Sequence, residues 1–324
     1  MLSPEDLLFY SEVNIKISRP NESIEYLKRF FIESKPQSKS DFQTVSFIIK
    51  SIIDPLRYTL RTLEMEFNDE LGKGRNGGKL EIIHFYIQKA LFKFKDYGLK
   101  IINAITEHMI PKTVTEKEKV FCFKMRADCY RYLAEFVENE EKDAFIEKGK
   151  EDYIKASSIA EFLLHSEPLR LSLILNYAIF IFEHLWKRDE AAEMLRKARR
   201  EAEIDMGQLD RDEHGESLEL LNVMRTNLIL SAIQIVKKTQ SHRYFDEIAD
   251  YLLKTNYPFN FNVVAMLVDA ASTFNELGRT ISKANECGKQ KEFFSDLVAL
   301  GAMVASKTNT DVLTELLKLL TTQK

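Results

Sequence analysis

Cysteine is scarce in this 324-residue chain, limited to Cys122, Cys129 and Cys287. Three thiols cannot all pair, and their spacing matches no metal-ligand set. A disulfide scaffold and a thiolate metal centre are therefore not expected, and a reduced, cytoplasmic setting is. Glycine (11) and proline (7) are also few, so little interrupts the chain and long helices are expected. The net charge of −4 offers no general attraction to nucleic acid, and any anion site has to be a local gathering of Lys and Arg. No long apolar run exists. The most apolar stretch, LSLILNYAIFIF (171–182), is too short to span a bilayer and contains Asn176. The start carries Glu5 and Asp6 without an apolar core, unlike a signal peptide. The six histidines are scattered, and HExxH, G-x-S-x-G and dinucleotide-loop patterns are missing. Neither an enzyme nor a cofactor is expected. GKGRNGGK (72–79) resembles a phosphate loop superficially. Lys79 is followed by Leu80 where Ser or Thr is needed, so it reads as a helix connection.

Apolar residues recur at helical spacing almost throughout, with no convincing strand alternation, which predicts an all-α fold. Helices are expected at about 3–17, 21–33, 40–69, 79–108, 115–138, 142–162, 168–185, 188–206 and 216–237, with a polar turn from Gly207 to Gly215. A bend is expected at Asp54-Pro55. Residues 239–324 carry four further apolar-periodic stretches, YFDEIADYLL, FNVVAMLVDAASTF, EFFSDLVALGAMVA and DVLTELLKLL. They are expected to add extra C-terminal helices, giving a division into 1–238 and 239–324.

Polar residues inside these apolar patterns mark the candidate site. In FCFKMRADCYRYLAEF (121–136), Lys124, Asp128, Arg131 and Glu135 share one face of a helix. Charges so embedded are either paired with each other or placed to receive an ion, and phosphate suits a Lys and an Arg two turns apart. From this helix alone, Lys124–Asp128 and Arg131–Glu135 also read as ordinary i, i+4 pairs. Lys50 and Arg57 are likewise two turns apart, with Arg61 one turn on. Asn176 lies in an apolar helix with Ile179 and Glu183, and a buried amide there requires a polar partner. Leu220, Val223, Asn227 and Leu230 form an apolar stripe interrupted by one amide.

Three blocks in this order, KMRADCYRYLAEF, PLRLSLILNYAIFIFEHL with the following EAAEMLRKA, and LNVMRTNLIL, resemble the 14-3-3 family. The resemblance runs from near the N-terminus to about residue 237. It implies an antiparallel nine-helix array that forms an amphipathic groove and dimerises through its first four helices. The groove would bind extended protein segments containing phosphoserine or phosphothreonine. Carried over residue by residue, Lys50, Arg57, Arg131 and Tyr132 would hold the phosphate, with Lys124 lining the same basic wall. Asn176 and Asn227 would hold the ligand main chain, with Glu183 near the second. Leu175, Ile179, Leu220, Val223 and Leu230 would form the apolar wall. Asp128 and Glu135 would hold the basic side chains in the free protein. Two guanidinium forks and an ammonium suit a phosphomonoester of about −1.5 to −2 charges at neutral pH.

Several positions depart from the family pattern. Leu56-Arg57 stands where paired arginines are usual, and Asp54-Pro55 where Gly-Ala is usual. A proline there removes a helical hydrogen bond and threatens the relation of Lys50 to Arg57. Ser231 and Leu60 replace tryptophans, so an altered sequence preference is expected. For the dimer, the resemblance implies an interface using Val13, Ile17, Leu63 and Tyr86, with Glu22 and Lys89 as a cross-subunit ion pair. Arg19 and Lys93 would set like charges together. The long C-terminal region replaces a short acidic tail. It is a candidate cover for the groove, and Thr322, if phosphorylated, is a candidate self-ligand. The expected function is a non-catalytic adaptor for phosphorylated clients, with a helical scaffold that needs no phosphate as the alternative.

Overall fold

The computed structural model describes residues 2–36, 38–74 and 77–239, with side chains as far as Met224 and at Asn227. Two compact units are present, residues 1–221 and 222–324. The four expected C-terminal helices, Cys287 and Thr322 lie outside the described residues, as do the side chains of Leu230 and Ser231.

Nine α-helices occur among the described residues, and no strand: α1 (Pro4–Lys16), α2 (Pro20–Glu33), α3 (Lys39–Gly72), α4 (Gly78–Ala104), α5 (Glu116–Phe136), α6 (Asn139–Ala160), α7 (Pro168–His184), α8 (Arg188–Asp205) and α9 (Arg211–Thr239). Their starts are written in the sequence. Ser3, Ser38 and Thr115 each accept a hydrogen bond from the backbone three residues on, and Asp6, Asp41 and Glu118 return it. These capping boxes satisfy amides that the first helical turn leaves unpaired. Proline opens α1, α2 and α7, where its missing N–H costs nothing.

Three local findings bear on the sequence reading. First, α3 runs unbroken from Lys39 to Gly72 with Pro55 inside it. Lys50 and Arg57 therefore stay on one continuous helix, two turns apart. Second, the end of the fourth helix changes winding. A π turn at Ile105–Met109 and a 3-10 turn at Ile110–Lys112 follow α4. Thr106 Oγ1 donates back to Ile102 O at 2.7 Å and accepts from the Arg126 guanidinium at 3.0 Å. Third, the polar turn expected at 207–215 is mostly helix. Asp210 accepts from the backbone amides of Asp212 at 2.9 Å and Glu213 at 2.8 Å, so it caps α9 five residues before the expected start. Gly215 is then interior to a helix, which its unfavourable propensity of about 1 kcal/mol disguises in sequence.

α5 is the most enclosed helix of unit 1. Its buried residues include Phe121, Met125, Leu133 and Phe136, together with the polar Lys124, Asp128 and Arg131. Phe136 meets Phe94 of α4 edge to face at 5.4 Å between ring centres. Close approach of α4 and α5 depends on Gly98, where a Cβ would lie 2.8 Å from Leu133 Cδ2. On the other side, Phe180 of α7 is fully buried against Tyr153 of α6, with ring centres 5.2 Å apart. α5 is thus fixed on both flanks before any polar contact is counted.

Candidate functional site

The polar residues of α5 meet partners from α3, α6 and α7. Arg131 and Arg57 enclose the ring of Tyr132, with guanidinium carbons 4.5 Å and 4.3 Å from its centroid. Each contact sets a cation against the negative face of the ring. Each arginine also has an acidic partner. Arg57 donates to Glu135 at 3.0 Å and 2.8 Å, and Arg131 reaches Glu183 of α7 at 3.5 Å. The expected i, i+4 pair between Arg131 and Glu135 is therefore not the one formed. Glu135 bridges Arg57 and Arg61, the latter at 2.5 Å, because α3 presents two guanidiniums across the helix gap. Arg61 belongs to this cluster and was noted in sequence only for its spacing.

The other i, i+4 pair does form. Lys124 Nζ donates to Asp128 at 2.9 Å, and both side chains are sealed from solvent. Asn176 finds its polar partner in the same carboxylate, donating to both Asp128 oxygens at 2.9 Å. Tyr153 adds a fourth hydrogen bond at 2.5 Å. Nothing in sequence singles out Tyr153, since a lone tyrosine in an amphipathic helix looks like core.

The electrostatics follow from these neighbours. Burial pushes the Asp128 carboxyl upward, but the Lys124 and Arg131 cations and the Tyr153 hydroxyl outweigh it, and its pKa is lowered. Burial opposes the Arg131 charge. The phenols of Tyr153 and Tyr132 and the carboxylates of Asp128 and Glu183 more than offset it, so the guanidinium stays charged. Tyr132 is pushed up, first by burial and then by Asp128. Burial pushes the Cys122 thiol up to about 12, which makes it unreactive at neutral pH.

His184 has an Nε2 without a partner, stacks on Phe180 at 5.5 Å and is pushed down to about 4 by burial, Arg131 and Lys142, against Glu135. Above pH 6.5 it is neutral both folded and unfolded. Below that, the unfolded chain takes up a proton that the folded chain refuses, so stability is lost as pH falls from 6.5 to 4. Partial solvent contact limits the effect to on the order of 1–2 kcal/mol. Denaturant midpoints of His184→Phe and wild type should therefore diverge in the variant's favour as pH drops through this window.

Of the sequence-derived phosphate set, the structure brings Arg57, Arg131 and Tyr132 together. Lys50 is exposed on the same face of α3 and makes no ion pair among the described residues. In α7, Leu175 is buried while Ile179 is half-buried and Glu183 exposed. Leu220 is half-buried at the end of unit 1. Val223 and Asn227 belong to the second unit, where Asn227 Nδ2 donates to Val223 O at 3.0 Å. Among the expected dimer residues, Ile17, Glu22, Tyr86 and Lys89 are exposed, and Val13 and Leu63 half-buried.

The family model described as 14-3-3 protein matches residues 11–231. The chain belongs to the 14-3-3 family. It is 30% identical over 227 residues to the 14-3-3 protein of Giardia intestinalis, covering 70% of this chain and 92% of that one. It is 27% identical over 230 residues to 14-3-3 protein 2 of Entamoeba histolytica, covering 71% and 96%. The Checkpoint signal transducer rad24 of Schizosaccharomyces pombe is 28% identical over 229 residues, covering 70% and 84%. Members of this family are non-catalytic adaptors in signal transduction that bind protein clients, and this chain, all-α among its described residues, is one of them. Among the described residues, no helix is long and apolar enough to cross a membrane.

Proposed function

We propose that this 14-3-3 protein recognises phosphoserine- and phosphothreonine-containing segments of cytoplasmic client proteins. The observation that carries the reading is the pair of guanidiniums on Tyr132, Arg57 tethered by Glu135 and Asp54 and Arg131 by Glu183. Two forks held in place without a ligand lose little freedom when a phosphate arrives, and guanidinium binds phosphate through two parallel hydrogen bonds. Glu135 and Glu183 restrain one fork each, and Lys50 supplies an exposed ammonium two turns back along α3. Asn176 and Asn227 are assigned to the ligand main chain, and Leu175, Ile179, Leu220, Val223 and Leu230 to its apolar side chains.

Fluorescence titration of one peptide in its phosphorylated and unphosphorylated forms tests this. The phosphorylated form should bind at least about 100-fold more tightly, a difference of about 2.8 kcal/mol. Equal affinities would favour a helical scaffold that ignores phosphate.

We also propose a homodimer through α1, α3 and α4. Ile17 (55% exposed), at the end of α1, and Tyr86 (52%) of α4 are accompanied by exposed Phe9 on α1 and Ile82 and Phe85 on α4. That much apolar surface suits burial against a second copy. A solution mass of one protomer at micromolar concentration would remove this assignment. The division at 238/239, and a role for residues 239–324 over the groove, are proposals of the same kind. Unchanged phosphopeptide affinity after deletion of 239–324 would exclude the covering role.

A further inference from the structure

Asp128 is 1% exposed and takes hydrogen bonds from three helices: Lys124 of α5, Tyr153 of α6 and Asn176 of α7. An ionised carboxylate accepts and never donates. Either end of an asparagine amide ordinarily fits a mixed environment, because oxygen and nitrogen are interchangeable in shape. That freedom is missing here. With a buried anion 2.9 Å away on both oxygens, Asn176 has to turn its NH2 inward. Turning its carbonyl inward would set an acceptor against the buried Asp128 acceptors, which costs more than a lost hydrogen bond. The Asn176 carbonyl oxygen is thereby directed away from Asp128, and it accepts no hydrogen bond from a described residue.

We propose that Asp128 is a positioning residue that locks the Asn176 amide in one orientation and so fixes its carbonyl oxygen as the acceptor for a bound segment. The inference rests on the phosphopeptide reading for the identity of the ligand, but the lock itself does not. Its consequence is a requirement for a main-chain N–H at one position of the bound segment. A segment lacking that N–H leaves the Asn176 oxygen facing nothing. Asp128 touches no ligand in this account. It acts through Asn176, and its replacement by the isosteric asparagine should relax the requirement. An asparagine at 128 offers both a donor and an acceptor, so the two amides can pair in either sense.

The test is an amide-to-ester scan of one phosphoserine peptide against the full-length wild type and Asp128→Asn. Each ester deletes one N–H and adds no bulk. In the wild type, one ester should weaken binding at least about tenfold, as expected for a lost hydrogen bond to a partly buried partner. In Asp128→Asn the same ester should cost less than about threefold. An equal penalty in both proteins, or no penalised position in the wild type, overturns the proposal. The unphosphorylated peptide runs alongside. If it binds as well as the phosphorylated one, the phosphate reading falls while the ester scan still judges Asp128.

Nuclear magnetic resonance of the free wild type supplies a second measurement that needs neither ligand nor variant. The Asn176 side-chain proton that faces Asp128 should exchange with solvent at least about tenfold more slowly than those of an exposed asparagine, because the buried carboxylate holds it. Exchange at the exposed rate overturns the lock even if Asp128→Asn fails to fold.

Discussion

Replacing Lys50 with glutamate should weaken binding of a phosphoserine peptide by about 100-fold or more while leaving helix content and melting unchanged. The size follows from Coulomb's law. An ammonium about 4 Å from a phosphate charge contributes about 4 kcal/mol at an effective dielectric constant of about 20, and reversal turns attraction into repulsion. Solvent and salt reduce that for an exposed side chain, which leaves on the order of 3 kcal/mol. The neutral effect on folding follows from the surroundings of Lys50, which is exposed and makes no ion pair among the described residues. Reversing Arg131 would not isolate binding in this way. Its side chain is 8% exposed and shares the buried network around Asp128. Removing one partner from such a network costs about 3–5 kcal/mol of stability, which would mix folding with binding. Isothermal titration calorimetry with the phosphorylated peptide, paired with circular dichroism, reads the two effects separately. Retained affinity in Lys50→Glu would remove Lys50 from the phosphate site.

The largest loss of stability should come from Phe180→Ala, at about 3–5 kcal/mol. Phe180 is fully buried. Its ring lies 5.2 Å from Tyr153, 6.3 Å from Tyr177 and 5.5 Å from His184, centre to centre. Its edge also closes on Gly149, where a Cβ would meet Phe180 Cε2 at 3.5 Å. Truncation removes the contacts of a whole ring, and the stiff aromatic neighbours cannot close the gap. For a unit of about 220 residues this corresponds to a fall in melting temperature of roughly 10 °C. Because the ring supports α6 and α7 behind the polar cluster, wild-type preference for phosphorylated over unphosphorylated peptide should persist at low temperature. A shift below 1 kcal/mol in denaturant unfolding would show that the site collapses around the missing ring.

The helices themselves were legible because their determinants are local. Capping residues such as Ser3, Ser38 and Thr115 announce starts within four positions, and apolar spacing announces the buried face. Asp210 shows the limit of that reading. It caps α9, but the glycines on either side of it, Gly207 and Gly215, give the segment the composition of a turn. Pro55 lies inside α3, which is one continuous 34-residue helix as the sequence pattern predicts, so the helix accommodates the missing backbone donor.

The polar cluster divides in the same way. Spacing on α5 paired Lys124 with Asp128, because both partners lie on one helix and, among the described residues, no cation of another helix forms an ion pair with that carboxylate. The same spacing failed for Arg131 and Glu135. Glu135 is taken by Arg57 and Arg61 from α3, and Arg131 turns to Glu183 from α7. Helical spacing states which side chains can meet along one helix and carries no information on what a neighbouring helix brings. The need for a partner at Asn176 was visible in sequence from the cost of burying an amide, whereas its identity as Asp128, and the role of Tyr153 beside it, was not.

The sequence by itself determined the helical class and the family and marked the basic residues proposed to receive a phosphate, because periodicity, caps and ordered motifs are properties of short stretches. Only the tertiary structure decided which acid restrains which arginine and which way the Asn176 amide faces. Those choices are made by groups 48 to 78 residues apart in the chain, and each rests on which partner comes within about 3 Å.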